Sequence, residues 1–212
     1  MSNSLFDITM VELPANLPVL PFSGAFLFPE TKLNLRIYEM RYIRLVFNAL
    51  ASSRLIGMVQ PTQQDMPMKV TPLYKTGCAG RISSFTESND TLLITLTGIA
   101  RFNVVKETDH NGIYRDAFVD FTPFAADFNP GEFKFNKKEL FAKLDFYAYS
   151  NKIDLTSDML KQMPGEQILM TLASVLPFTP AEKQALLECA QPQKFYDTLL
   201  LLLDMNSDGR IN

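Results

Sequence analysis

Apolar and polar residues alternate in several stretches of the first 125 residues, as they do in β-strands that bury one face. In 91–97 every second residue is Leu or Ile, and the run Ser88-Asn89-Asp90 before it is typical of a turn. Gly98 is expected to end this strand, and Asn111-Gly112 predicts a later hairpin turn. The same alternation predicts further strands at 31–37, 55–59, 79–85, 101–105 and 114–121.

One segment of this β-rich half has the period of a helix instead. In 39–51, apolar residues recur at steps of three and four positions, at Met40, Ile43, Phe47 and Leu50. That spacing predicts an amphipathic helix whose apolar face is formed by this stripe.

Beyond Phe124 the apolar positions follow a helical period to the end of the chain. The loop-forming run 127–131 separates the two halves and is the predicted boundary. Asn136-Lys137-Lys138-Glu139 approximates a capping box and Thr179-Pro180-Ala181-Glu182 matches one, so each predicts the start of a helix. The predicted helices are 136–148, a short helix capped by Ser157 that ends before Pro164, 166–176, 179 to Pro192, and Pro192 to Leu203.

Composition places the chain among ordinary globular proteins, since 47% of its 212 residues are apolar and 20% are charged. The net charge is −3, the pI is near 5.2 and the longest basic run is Lys137-Lys138, so we expect no nucleic-acid partner. No uncharged apolar stretch reaches about 18 residues, so we expect no membrane span. The first residues, MSNSLFDITMVELP, carry acids but no Lys or Arg, unlike a signal or transit peptide, which predicts a cytoplasmic protein.

Residues with catalytic or metal-binding potential are sparse. Cys78 and Cys189 are far apart and form no C-x-x-C pair, so we expect two reduced thiols. The only histidine, His110, stands beside a turn and is expected to be an exposed loop residue. No nucleophile elbow, phosphate loop or dinucleotide fingerprint occurs. The tail 204–212 matches the first half of a calcium loop but stops before the final bidentate carboxylate, so we expect no metal and no cofactor.

Three stretches in a fixed order carry recognisable motifs. Residues 17–50 have a strand ending at Pro21, the aromatic-Pro turn Phe28-Pro29 and an acid-x-Arg-Tyr helix start. Residues 77–105 have a Gly-x-x-Gly-x-Ile strand and a Gly-x-x-Arg-Phe strand, and 176–189 read LPFTPAEKQALLEC. Together they resemble the LON domain family, the N-terminal substrate-binding domain of ATP-dependent Lon proteases. The residues that match the family motifs, and that we expect to be structural, are Pro21, Pro29, Glu39, Arg41, Tyr42, Gly80, Gly98, Arg101 and Phe102.

The resemblance implies an α+β protein, with a PUA-like β pseudo-barrel that includes one helix, followed by a C-terminal α-helical bundle lobe. With the patterns above, it divides the chain into an N-terminal tail (1–16), a β lobe (17–128), a linker (129–135), a helical lobe (136–205) and a polar tail (206–212). In Lon proteases an ATPase module and a Ser-Lys protease domain follow this domain. The present sequence shows neither pattern, so we expect a protein that is no enzyme and that resembles stand-alone bacterial LON-domain proteins.

The partner implied by the resemblance is a protein or an extended, unfolded polypeptide, in the role of an adaptor related to Lon-type proteolysis, with the oligomeric state left open. Aromatic side chains crowd the turn 22–28, and a Pro-flanked loop carries methionines, so the candidate peptide-binding residues are Phe22, Phe26, Phe28, Met66 and Met68. Two alternatives stay open. A basic stripe on the barrel would favour an RNA-binding PUA-like module, and a pocket with a strongly perturbed carboxylate or thiol would favour an unrecognised hydrolase.

Overall fold

The computed structural model describes residues 10–63, 71–89, 91–110, 112–129, 133–154, 160 and 162–207. The chain divides into two compact units, Met1–Phe128 and Asn129–Asn212. Met66 and Met68, and the short helix predicted at Ser157, lie outside the described residues.

The first unit contains the strands and one helix, and the fold class is α+β. Its elements are β1 (Asn16–Pro21), β2 (Lys32–Ile37), α1 (Met40–Leu50), β3 (Leu55–Val59), β4 (Thr76–Ser88), β5 (Thr91–His110) and β6 (Tyr114–Asp120). Short 3-10 segments cover Met10–Glu12 and Thr122–Phe128. The strand predictions at 31–37, 55–59 and 114–121 are confirmed. The predictions at 91–97 and 101–105 describe one strand, because β5 is continuous.

Strand pairing in the first unit closes on itself. The sheet order is β2-β5-β4-β3-β1-β6. An additional pairing between β5 and β6 joins the two ends of the run β5-β4-β3-β1-β6, so these five strands form a ring. Only the β1–β3 pairing is parallel among the described pairs. The length of β5 makes the ring possible, since its first half pairs with β2 and its second half with β6. The ring encloses a core that includes Leu17, Val59, Ala79, Ala100 and Phe102.

Gly98 lies inside β5, so the prediction that it ends a strand is wrong. A Cβ at this position would stand 2.0 Å from the carbonyl oxygen of Phe28, far closer than atoms can approach. The turn around Phe28 packs directly on the Gly98 backbone, and the amide of Glu30 donates to the Gly98 oxygen at 2.9 Å. Gly98 is therefore required for space and not as a strand terminator.

Two glycines of β4 also serve close packing. Neither Gly77 nor Gly80 has a positive φ, since among the described glycines only Gly24 and Gly112 do. A Cβ at Gly77 would lie 2.4 Å from the oxygen of Met58, and one at Gly80 would lie 2.6 Å from a methyl of Leu27. Both positions require glycine because neighbouring segments of the chain approach β4 too closely to leave room for a side chain.

An ion pair lies within the first unit. The Arg101 guanidinium donates to the Asp127 carboxylate through Nη2 at 2.6 Å and Nε at 3.0 Å. The backbone amide of Arg101 donates to the same carboxylate at 2.9 Å, and the Phe124 ring lies 4.9 Å below the guanidinium carbon. Both charged side chains are buried, at 1% and 2% exposure. This pair fixes the Thr122–Phe128 segment against β5.

The second unit is helical in its described residues. Its helices are α2 (Lys137–Asn151), α3 (Gly165–Val175), α4 (Pro180–Leu187) and α5 (Pro192–Met205). Both predicted caps are confirmed, because Asn136 accepts from the Glu139 amide and Thr179 with Glu182 forms a complete capping box. The last helix buries apolar residues that recur at helical spacing: Phe195, Leu199, Leu200 and Leu203.

Glu182 links the start of α4 to the end of α5 within the second unit. Its carboxylate accepts from the Thr179 amide at 2.7 Å and from Nδ2 of Asn206 at 2.9 Å. Burial alone would raise the pKa of Glu182, but these hydrogen bonds outweigh it and hold the pKa below its ordinary value. Every helix among the described residues is too short or too polar to span a bilayer.

Candidate functional site

A groove of about 850 Å³ opens on the first unit beside the start of α1, and we call it the α1 groove. Its walls come from the end of β1, the first turns of α1, the segment around Pro72 and the tip of the β5–β6 hairpin. The lining residues that carry the argument are Pro21, Met40, Arg41, Arg44, Tyr114 and Arg115. A smaller groove of about 190 Å³, which includes Phe22, Arg36, Tyr38 and Glu39, shares Pro21 and Tyr42 with it.

The exposed face of α1 forms part of the α1 groove. The predicted helix is confirmed, but its predicted apolar stripe is not the face that it buries. The buried residues are Tyr42, Leu45, Val46 and Ala49, a second stripe at helical spacing. Met40 and Phe47 of the predicted stripe are instead 63% and 44% exposed. A helix with two apolar stripes cannot bury both against one sheet, so one is left at the surface.

The family-motif residues Glu39, Arg41 and Tyr42 meet at the start of α1. Arg41 donates to the Glu39 carboxylate at 2.5 Å, and its guanidinium carbon lies 4.7 Å from the centre of the Tyr42 ring. Burial raises the pKa of Tyr42, so its phenol stays neutral at physiological pH. The three side chains form a corner at which the two grooves meet, and Tyr42 lines both of them.

Tyr114 is held at the far side of the α1 groove. Its hydroxyl accepts a hydrogen bond from Nδ2 of Asn48 at 2.8 Å, which links β6 to α1. Burial raises the pKa of Tyr114 as well, so this phenol is also neutral. Neutral, fixed tyrosines suit apolar and hydrogen-bonding contacts with a ligand.

The charged lining of the α1 groove is predominantly basic. Its arginines are Arg41, Arg44 and Arg115, and its one described acid is Glu107. Arg115 donates to the Glu107 carboxylate at 3.0 Å and to the Thr71 carbonyl at 2.8 Å. Arg44 is exposed on α1.

The structure separates the aromatic residues that the sequence grouped in the turn 22–28. Phe22 is partly exposed and lines the smaller groove. Phe26 and Phe28 are 7% and 0% exposed, so they offer no surface to a peptide, contrary to the sequence-based expectation. The cause is Gly98, whose missing side chain leaves room for this turn to pack against β5.

The remaining chemistry-bearing residues lie away from the α1 groove or in the core. Cys78 and Cys189 are both buried thiols that form no disulfide. Burial raises the pKa of the Cys78 thiol far above its usual range, which disfavours the nucleophilic thiolate. The described residues contain no group of three or more His, Cys, Asp or Glu side chains placed to hold a metal ion.

Sequence reasoning missed the residues that the structure brings to the α1 groove, chiefly Met40, Arg44 and Arg115, and it missed Tyr38 in the smaller groove. Two signals pointed there. The stripe that contains Met40 was visible in the helical period, and the acid-x-Arg-Tyr motif marks the corner at which both grooves meet. The pairing of β6 with β1, which positions Arg115 opposite Val19, could not be read from local patterns.

Comparison with known proteins matches residues 16–204 to the family model of the ATP-dependent protease La (LON) substrate-binding domain. A Lon protease from Syntrophus aciditrophicus is 27% identical over 105 residues, which are 47% of this chain and 13% of that protein. A Lon protease from Dictyoglomus thermophilum is 32% identical over 99 residues, 45% of this chain and 12% of that protein. The match thus spans 12% to 13% of the length of these curated relatives.

Two solved structures share the fold. The Lon N-terminal domain protein from Xanthomonas campestris has a TM-score of 0.64 at 20% identity, with 88% of this chain and 97% of that chain covered. The N-terminal domain of a Mycobacterium avium complex Lon protease has a TM-score of 0.65 at 14% identity, with 91% and 98% covered. At these identities the likeness concerns the fold.

Proposed function

The chain belongs to the family of ATP-dependent protease La (LON) substrate-binding domains, and from this membership and the exposed α1 groove we propose that it is a non-catalytic module that binds extended or unfolded polypeptide. The observation that carries the proposal is the pair of large side chains exposed at the two adjoining grooves, Met40 at 63% in the α1 groove and Tyr38 at 69% in the smaller groove. Contiguous exposed apolar surface rimmed by polar groups is typical of interaction sites.

The lining chemistry supports a polypeptide ligand. Met40 is flexible and polarisable, so it adapts to side chains of different shape. The neutral phenols of Tyr42 and Tyr114 add aromatic surface with a hydrogen-bonding tip. Phe22 extends this apolar surface into the smaller groove. These features suit a site that recognises the apolar character of its partners and not one particular sequence.

Two finer points belong to the same proposal. We infer that the closed ring of strands is a PUA-like pseudo-barrel, and that the protein acts as an adaptor related to Lon-type proteolysis. It does not itself cleave peptide bonds or hydrolyse ATP. Highly purified protein is expected to leave casein intact, and casein cleavage that a single point substitution abolishes would overturn this part.

Binding is tested by fluorescence anisotropy with labelled, unfolded casein. The variants Met40→Ser and Tyr38→Ser remove exposed apolar side chains at the grooves. The variants Met205→Ser and Tyr149→Ser remove matched side chains, 58% and 85% exposed, from helices of the second unit. All four positions are exposed, so folding should be little affected.

Each groove variant is expected to weaken binding about fivefold, because burial of half of a Met or Tyr side chain contributes about 1 kcal/mol. The matched variants should bind like the wild type. Equal affinities across all five proteins would reject the α1 groove, and no binding of unfolded casein to the wild type would reject the function.

A further inference from the structure

We propose that the α1 groove selects polypeptide segments in which a large apolar residue and an Asp or Glu stand two positions apart, with Arg44 binding the carboxylate. This inference rests on the proposed function and names its substrate class. It is carried by the charges of the lining, by the hydrogen bonds that occupy some of them, and by the spacing of Met40 and Arg44 on α1.

The charge of the grooves is opposite to that of the whole chain. The chain has 20 Lys and Arg against 23 Asp and Glu, a net charge of −3. The α1 groove presents Arg41, Arg44 and Arg115 against Glu107. The smaller groove adds one base and one acid, Arg36 and Glu39. A local excess of positive charge on an acidic protein favours a negatively charged ligand at that place.

Arg44 is the arginine best placed to bind such a ligand. Arg41 is held by Glu39 and by the Tyr42 ring. The lining acid Glu107 is paired with Arg115. Arg44 is exposed, and within the described part of the chain it makes no ion pair. Its guanidinium can therefore donate hydrogen bonds to a ligand carboxylate without releasing a carboxylate of the protein.

The spacing on α1 sets the spacing on the ligand. Met40 and Arg44 are one helical turn apart and lie on the same face of the helix, with Cβ atoms separated by about 6 Å. In an extended peptide, residues two positions apart lie on the same side, separated by about 6.6 Å. A peptide that rests an apolar side chain on Met40 thus brings a carboxylate two positions away to Arg44.

The lining favours a peptide over a nucleic acid. An oligonucleotide is bound by rows of cations that neutralise successive phosphates. Here Arg41 and Arg115 are already paired with carboxylates. Much of the remaining lining is apolar, at Pro21, Met40, Pro72 and Ile113.

The test uses three short labelled peptides, identical except at one tripeptide, and the whole chain. One peptide carries Phe-Gly-Asp, a second carries Phe-Gly-Asn, and a third carries Phe-Asp-Gly, which turns the carboxylate to the opposite side. The proteins are wild type, Arg44→Gln, Arg44→Lys, Met40→Ser and the control Lys194→Gln, which lies at an exposed position of the second unit. Comparing two peptides on one protein cancels any difference in folding between variants.

The wild type is expected to bind the Phe-Gly-Asp peptide about two- to fivefold more tightly than either other peptide, with the preference falling as salt rises. Arg44→Gln should lose the preference, while Arg44→Lys and Lys194→Gln should keep it. Equal binding of all three peptides, with Met40→Ser still weakening each, would overturn the carboxylate preference and leave the proposed function standing. No peptide binding, or no effect of Met40→Ser, would overturn both. Tighter binding of an oligouridylate that displaces the peptides would identify an RNA site instead.

Discussion

Removal of the Asp127 carboxylate tests how the first unit is held together. In the native protein this carboxylate accepts from two nitrogens of the Arg101 guanidinium and from the Arg101 backbone amide. Both side chains are almost fully buried. Asp127→Ala therefore leaves a positive charge and an amide without this acceptor in the core.

The expected cost follows from these contacts. Breaking a buried ion pair from one side costs about 3–5 kcal/mol, because the remaining charge stays buried without the opposite charge that compensated it. A single domain is typically stable by about 5–15 kcal/mol. We expect Asp127→Ala to lower the free energy of unfolding of the first unit by about 4 kcal/mol. The double variant Arg101→Met with Asp127→Leu should recover part of this loss, because it leaves no buried charge, while the backbone amide at position 101 still lacks the Asp127 acceptor at a cost of about 1–3 kcal/mol.

The two cysteines provide separate readouts, since Cys78 belongs to the first unit and Cys189 to the second. Each thiol is buried and should react with a disulfide reagent only when its surroundings open. Labelling of Cys78 across a urea series thus measures the effect of Asp127→Ala. The control is Lys143→Ala, which removes a solvent-exposed pair with Asp204 and should cost at most about 1 kcal/mol by Cys189 labelling. A loss below about 1 kcal/mol for Asp127→Ala would refute the reasoning.

Three further outcomes are expected. Gly98→Ala would place a Cβ 2.0 Å from a backbone oxygen and should lower the free energy of unfolding in urea by about 3 kcal/mol. Gly112→Ala, at φ +72° with open space around it, should lower it by only about 1 kcal/mol, and equal losses would contradict the packing argument. The folded pKa of Glu182 is below its ordinary value of 4.5, so the stability that its carboxylate contributes is present above pH 4.5 and is lost as the pH falls through the folded pKa. The loss of unfolding free energy in Glu182→Gln, measured by chemical unfolding, should therefore shrink from neutral pH toward acid, and a loss that is the same at every pH would disprove the linkage. Calorimetry should show no calcium binding in the micromolar range, because the carboxylate of Asp204 is paired with Lys143. Micromolar calcium binding that Asp204→Ala removes would contradict this expectation.

The sequence predicts elements well where a period is strong. The alternation in 31–37 and 55–59, and the caps at Asn136 and Thr179, correspond to β2, β3, α2 and α4. These signals are local, because strand pleat and capping hydrogen bonds involve neighbours in the chain. They establish which elements form but not which neighbours they meet.

The errors arise where distant segments meet. No local sequence signal distinguishes the two apolar stripes of α1. The packing of the helix against the sheet determines that Leu45 and Ala49 are buried and Met40 is exposed. In the sequence Gly98 resembles a strand end, and only the packing of the segment around Phe28 on it explains why this position requires glycine. Asp127 was assigned only to a loop signal, since its partner Arg101 is 26 residues away. The α1 groove could not be predicted for the same reason, because its walls come from segments joined by tertiary packing.

Photo-crosslinking tests the location of polypeptide binding most directly. An unfolded peptide that carries a benzophenone side chain is irradiated with the wild-type protein, and the modified residues are identified by mass spectrometry. Benzophenone reacts readily with methionine, and the chain exposes Met40 at the α1 groove and Met205 on α5 to a similar degree. We predict crosslinks at Met40 and its neighbours Tyr38 and Ile113, suppressed by excess unlabelled peptide. Crosslinks that favour Met205, or that label both methionines equally, would contradict the proposed site.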